Sequence, residues 1–249
     1  MKSKRNRKLN RKIKRKRNTR KMKGGKGSTG NQQDIEDLLT AVTSVMNIDL
    51  KDIVKRRYRT RDLVDHQYPL YHNNTAIMIA IVHRNELSYE KVELLLSIKP
   101  RPRLDIRNNY GCTPLMLAVQ KGDIRIVNLL LRHNKTVIDT YDIYYKTPLI
   151  YAINENYTYI VIILLENDAD PNIQDNQGAT ALMYTIDVLI YAIQYKHLNT
   201  DYENLVGVYE DIMIRLIEKG GNLDIQDNGG ITARMRIHTR KNELRGLLH

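Results

Sequence analysis

Apolar residues return at helical spacing along most of this chain. In residues 34–46, Ile35, Leu38, Leu39, Val42, Val45 and Met46 fall on one face, as in an amphipathic helix. Asp34 is placed to cap that helix, and Asp37 three residues on loosely completes a capping box. LKDIVKRRYR (50–59) predicts a second short helix. Further on, Leu182, Ile186, Leu189, Ile190 and Ile193 hold one face over a longer stretch. KHLNT (196–200) then reads as a loop, and YENLVGVYEDIMIRLIEKGG (202–221) as a long helix ending at Gly220.

The pattern also repeats as a unit. GCTPLMLAVQKGDIRIVNLLL (111–131) aligns without a gap on YKTPLIYAINENYTYIVIILL (145–165). The frame returns at GATALMYT (178–185) and GITARMRI (230–237), and more faintly at NTAIMIAIV (74–82). Its threonines stand at 75, 113, 147, 180 and 232, in steps of 38, 34, 33 and 52. Eight residues before four of them come Asp105, Asp139, Asn172 and Asp224. A fixed period of this size marks a stack of supersecondary units.

Each unit has a physical reading. Thr caps a helix, and Pro at its first position gives up no needed hydrogen bond. Leu115 and Ala118, with Leu149 and Ala152, point inward, alanine permitting close approach of neighbours. Gly122 and Asn156 stand between two helices, where a left-handed residue is wanted. DNQG and DNGG supply turn chemistry for hairpin tips.

This frame resembles the ankyrin repeat, over roughly residues 60–249. The resemblance implies an all-α solenoid of helix-turn-helix units with short β-hairpin tips. It divides the chain into a disordered basic tail (1–30), an N-terminal helical cap (31–60) and about five repeats (61–249). The fourth carries a 19-residue insertion between 186 and 211, and the last is truncated. The family's His after Thr-Pro-Leu is replaced by Met78, Met116, Ile150 and Met183, so apolar packing stands in for its hydrogen bond. Tyr145 occupies a family glycine position, which predicts a distorted hairpin.

The resemblance also implies a non-catalytic adaptor, monomeric, binding one protein partner across hairpin tips and the concave face. Carried onto matching positions, the tips are Asn109, Tyr110, Ile143, Tyr144, Asn176, Gln177 and Asn228. The first helices contribute Gln120, Lys121, Asn154 and Glu155. Tyr141, Tyr144 and Tyr145 offer interface anchors, or else pack between repeats. A basic tail before a divergent array is similar in style to ankyrin-repeat proteins of large DNA viruses.

Charge changes the picture at one end only. Of 40 Lys and Arg against 28 Asp and Glu, residues 1–30 hold 15 basic side chains and no acid. The remainder is slightly acidic, so whole-chain basicity does not argue for a nucleic-acid-binding body. Lys12, Lys14, Arg15, Lys16 and Arg17 fit a nuclear-targeting signal or an anionic surface. The alternative is a non-specific grip on nucleic-acid phosphates, in which about eight contacts give a salt slope near −7 on duplex DNA.

Catalytic and cofactor motifs fail on context. GKGSTG (25–30) matches a dinucleotide fingerprint in letters, but it follows a cationic run instead of a strand. The histidines do not pair at zinc spacing, and Cys112 is the single cysteine. No metal, cofactor, small-molecule substrate or membrane span is expected. No secretory signal is expected either, and a mitochondrial presequence would need more apolar face than Leu9 and Ile13 provide. The expected location is nuclear or cytoplasmic.

Overall fold

The computed structural model describes residues 32–44, 61–83, 85–99, 101–195, 197 and 200–239. The expectations for the basic segment 1–30, the helix at 50–59 and the end of the last repeat lie outside these residues.

The chain runs through α1 (Gln32–Thr43), α2 (Arg61–Val64), α3 (Ala76–Val82), α4 (Ser88–Leu96), α5 (Pro114–Gln120), α6 (Ile124–His133), α7 (Pro148–Asn154), α8 (Thr158–Glu166), α9 (Ala181–Tyr195), α10 (Thr200–Glu218) and α11 (Ala233–Thr239). Short 3-10 turns sit at Pro69–Tyr71 and Lys135–Val137. α3, α5, α7, α9 and α11 pack one against the next as an inner layer. Likewise α4, α6, α8 and α10 form an outer layer, and α1 closes the stack against α3. The architecture is an all-α solenoid of helix-turn-helix units.

The threonine frame starts the inner helices. Thr113 and Thr147 sit in extended backbone and accept from the Met116 and Ile150 amides at 3.4 and 3.3 Å. Thr180 and Thr232 do the same for Met183 and Met235. The faint copy differs: Thr75 makes no such bond, and its buried hydroxyl has no partner. Gly122 and Asn156 take φ of 66° and 57°, turning the chain into the outer helices. At Gly122 the space is also taken, since an added Cβ would meet the Tyr157 ring of the next repeat at 2.8 Å.

Met78, Met116, Ile150 and Met183 are fully buried, so the positions that hold His in the family are dry, continuous core. At the N-terminal end a cation is buried too. Lys91 of α4 donates its ammonium to the carbonyls of Val42, in the last turn of α1, and Ser44 just past it. Cations suit a helix C-terminus, and burial lowers the Lys91 pKa.

Two local expectations are corrected. α1 begins at Gln32, so Asp34 lies within its first turn instead of capping it; Asp37 is held by Gln33 Nε2 at 3.0 Å. The hairpin at Tyr145 is not distorted. Tyr145 adopts φ 61°, beside 74°, 76° and 74° at the matching Gly111, Gly178 and Gly230. Its amide reaches the Asp142 carbonyl at 3.0 Å, as Gly111 reaches Asn108 at 2.9 Å. Turn geometry wins over side-chain sterics here, and the strain stays in the Tyr145 backbone.

The fourth repeat is long because both its helices are long. α9 has 15 residues where α5 and α7 have 7, about two extra turns. α10 has 19 where α8 has 9.

Candidate functional site

The candidate surface is built from the hairpin tips upward. Each tip begins with a carboxylate or carboxamide five residues before the threonine. Asn108 Oδ1 accepts from the Tyr110 and Cys112 amides at 3.0 and 2.9 Å. Asp142 holds Tyr144 and Lys146, Asp175 holds Gln177 and Ala179, and Asp227 holds Gly229 and Ile231, all between 2.9 and 3.0 Å. These Asx turns fold each tip locally. The recurrence is visible in the sequence as Asn108, Asp142, Asp175 and Asp227, each five residues before a threonine.

Successive tips are then joined into a ladder. The Asn109 amide donates to the His72 carbonyl at 2.9 Å, and Ile143 to Tyr110 at 3.1 Å. Asn176 donates to Tyr144 and Asn228 to Gln177, both at 3.0 Å. An added Cβ at Gly111 would stand 2.8 Å from the Ile143 amide, and one at Gly178 2.7 Å from that of Asn228. The ladder occupies these main-chain groups, so a ligand on this edge must be read by side chains rather than by strand addition.

Those side chains point outward. Tyr110, Ile143 and Tyr144 are 49%, 53% and 53% exposed; Asn109, Asn176, Gln177 and Asn228 are exposed beside them. Tyr110 leans on the preceding tip, its hydroxyl 3.3 Å from His72 Nδ1. Tyr141 and Tyr145 stack at 5.0 Å with planes 10° apart, and the Arg107 guanidinium lies 4.7 Å above Tyr141. Asn154 and Glu155 are exposed at the end of α7, whereas Gln120 and Lys121 are half-buried at the end of α5. Gln120 Nε2 approaches the Cys112 sulfur at 3.8 Å, and burial pushes the Cys112 thiol up to about 11.

Three features are not marked in the sequence. On the inner helices, Tyr151 and Tyr184 donate to Oδ2 of Asp142 and Asp175, both at 2.5 Å. Burial first, and the adjoining carboxylate second, push both phenols well above the usual range. In the last repeat Arg236 stands in the tyrosine's place and bridges Asp227 at 2.7 Å and Asp187 of α9. At the far end of the long helix pair, Tyr191, Tyr195 and Tyr202 gather with ring centroids 4.6–6.1 Å apart. Periodicity marks the faces of α9 and α10 but not which tyrosines their pairing brings together.

Among the described residues no group of three His, Cys, Asp or Glu side chains could hold a metal ion. No helix among them is long and apolar enough to cross a membrane.

Comparison with known proteins gives a consistent answer. Two family profiles match, ankyrin repeats (3 copies) over residues 44–142 and ankyrin repeats (many copies) over 131–184. Ankyrin repeat protein FPV022 of fowlpox virus (strain NVSL) is 34% identical over 115 residues, 45% of this chain and 19% of that protein. The mouse B-cell lymphoma 3 protein homolog is 35% identical over 112 residues, 45% of this chain and 25% of the relative. Ankyrin repeat protein nuc-2 of Neurospora crassa is 30% identical over 159 residues, 51% of this chain and 14% of the relative. The chain thus spans a quarter or less of the length of these relatives. Among solved structures, an ankyrin repeat domain from Acinetobacter baumannii AYE superposes with a TM-score of 0.65 at 22% identity, covering 85% of this chain and 95% of that one. The ankyrin repeat protein EF0377 gives 0.65 at 23%, covering 88% and 98%. At that identity the likeness carries the fold alone.

Proposed function

Because this chain belongs to the ankyrin-repeat family, a family of protein-interaction scaffolds, we propose that it is a non-catalytic adaptor that binds one protein partner along its hairpin tips and inner helices. The observation that carries this reading is the row of exposed Tyr110, Ile143 and Tyr144 on tips whose backbone is already fixed by the ladder. Tyrosine buries large area at low conformational cost, and rigid tips lower the entropy of ordering on binding. Asn109, Asn176, Gln177 and Asn228 supply adaptable hydrogen bonds around that apolar centre.

The cationic segment 1–30 acts in this reading as an address, directing the chain to the nucleus or to an anionic surface. Its 15 basic residues without a single acid also suit a phosphate grip on nucleic acid, and a salt slope near zero on duplex DNA removes that second reading.

Affinity purification of the full chain beside Tyr110→Ala/Tyr144→Ala tests the surface. Loss of the protein partner from the double variant is expected; an unchanged partner set overturns the choice of face. Proximity labelling with and without residues 1–30 separates the roles of the tail. An address changes location and keeps partners, whereas a contact keeps location and loses them.

A further inference from the structure

Tyr145 holds a left-handed backbone that its counterparts give to glycine. The turn itself uses only its amide, which donates to the Asp142 carbonyl. The side chain is used elsewhere. Its ring stacks on Tyr141, and Tyr141 carries the guanidinium of Arg107 from the preceding hairpin, 4.7 Å from the ring centroid. The main chain of Arg107 is fixed as well, because Gln67 Nε2 donates to its carbonyl at 2.8 Å. Strained non-glycine residues gather at sites where a function uses the strain. Here the strained side chain props the ring that holds an exposed guanidinium.

Stacking sets the plane of the guanidinium and leaves its edge of N–H donors open. Among the described residues Arg107 makes no ion pair. Lys146, the neighbour of Tyr145, is a second such cation: its ammonium lies 5.3 Å over the Tyr184 ring and has no carboxylate partner. The tips offer no anion to balance them. Positions 109–111, 143–145, 176–178 and 228–230 contain no acidic residue. Asp142 and Asp175 beneath them are buried, each with Oδ1 on backbone amides and Oδ2 on a phenol. Asp227 is bridged by Arg236 at 2.7 Å. The edge is thus aromatic and cationic. That sign repels the basic segment 1–30 and opposes two copies meeting edge to edge.

We propose that the partner presents an acidic segment to this edge, with a carboxylate forked onto Arg107 beside the Tyr141–Tyr145 stack and an apolar neighbour against Tyr110 and Tyr144. Arginine pairs with carboxylate through two parallel hydrogen bonds, which adds direction to attraction. A guanidinium already held on a ring has less freedom to lose on pairing. Lys146 adds a second attractive charge. This names the chemistry of the partner on the tip surface proposed above, and so rests on that reading.

The test selects random dodecapeptides displayed on phage against the full-length chain, after depletion on full-length Tyr110→Ala/Tyr144→Ala. Both forms carry residues 1–30, so depletion removes peptides held by that segment. Affinities of the enriched peptides are read from the imidazole signal of ¹³C-labelled His72, whose Nδ1 lies 3.3 Å from the Tyr110 hydroxyl. No histidine lies in residues 1–30. Peptides rich in Asp and Glu with an apolar residue are expected. Arg107→Gln should bind them about tenfold more weakly, as for loss of a charge-assisted pair. Tyr145→Gly keeps the turn and removes the prop, so binding should weaken while the denaturation midpoint does not fall. A purely structural role would not split the two readouts. Enrichment of neutral or basic peptides leaves the tip surface standing and overturns its acidic preference. No enrichment over the depleted pool overturns the tip surface itself, and this proposal with it. Unchanged affinity in Arg107→Gln or in Tyr145→Gly overturns the role of the stack.

Discussion

The phenol of Tyr151 donates to Oδ2 of Asp142 at 2.5 Å, while Oδ1 of the same carboxylate holds the amides of Tyr144 and Lys146. One buried carboxylate therefore couples an inner helix to the tip that the proposed partner would touch. Tyr151→Phe removes the helix half of this link and keeps the turn. A hydrogen bond to a charged group is worth about 1.5–3 kcal/mol, and partial exposure of Tyr151 places the expected loss near the lower end. Asp142→Asn keeps the turn acceptor but presents a donor to the phenol, so a similar loss is expected. Urea denaturation of the two variants checks both values.

Tyr145 stands at φ 61° where its counterparts are glycine. Tyr145→Gly relieves a left-handed strain of about 1–2 kcal/mol and gives up the stacking on Tyr141 and some unfolded-state entropy. The net expectation is a gain of up to about 1 kcal/mol. Tyr145→Val loses the stacking and keeps the strain, so its melting temperature should fall. Calorimetry on the pair separates these contributions.

Gly111 and Gly230 share a φ of 74°, but only Gly111 has the following tip against it. Ala at Gly230 meets backbone strain alone, whereas Ala at Gly111 also presses on Ile143. Gly111→Ala should therefore be more destabilising than Gly230→Ala by about 1 kcal/mol or more, as expected of overpacking. Chemical denaturation of both variants reads the difference.

Stability should fall at alkaline pH. The Cys112 thiol is raised from 9.0 to about 11, and Tyr209 of α10, whose buried hydroxyl donates to the Ile153 carbonyl at 2.7 Å, from 10.0 to about 12, both chiefly by burial. Groups raised in the native state keep their protons while the unfolded chain loses them. Their contribution is complete below about pH 9 and is lost as pH rises through 9–12. Denaturation midpoints across pH 8–11 check the slope. Native Cys112 should also resist alkylation at pH 8 and react on unfolding.

Lys91 ties α4 to the end of α1 with a fully buried ammonium. Lys91→Met keeps the bulk and leaves the Val42 and Ser44 carbonyls without that donor. Hydrogen exchange in α1 should speed at least tenfold, with α7 and α8 unchanged.

The stack itself was legible because its signal is local. Thr113, Pro114 and Leu115 each act within one helix start, and Gly122 within one turn. What escaped depends on pairs brought together by folding. Tyr184 reaches Asp175 over one hairpin, Arg236 reaches Asp187 across 49 residues, and Lys91 reaches Val42 across 49. The regular hairpin at Tyr145 has a related cause. Residue type speaks for one turn alone, while bonds from neighbouring tips hold its conformation.

The Asn228 to Gln177 step spans 52 residues between its threonines, yet its tip bond is 3.0 Å, the same as the step from Asn176 to Tyr144. Helix length and tip spacing are thus separate variables in this molecule. A repeat can grow outward by whole turns without shifting the register of its neighbours, so new surface such as the Tyr191, Tyr195 and Tyr202 group can be added at the flank while the hairpin-tip edge keeps its pitch.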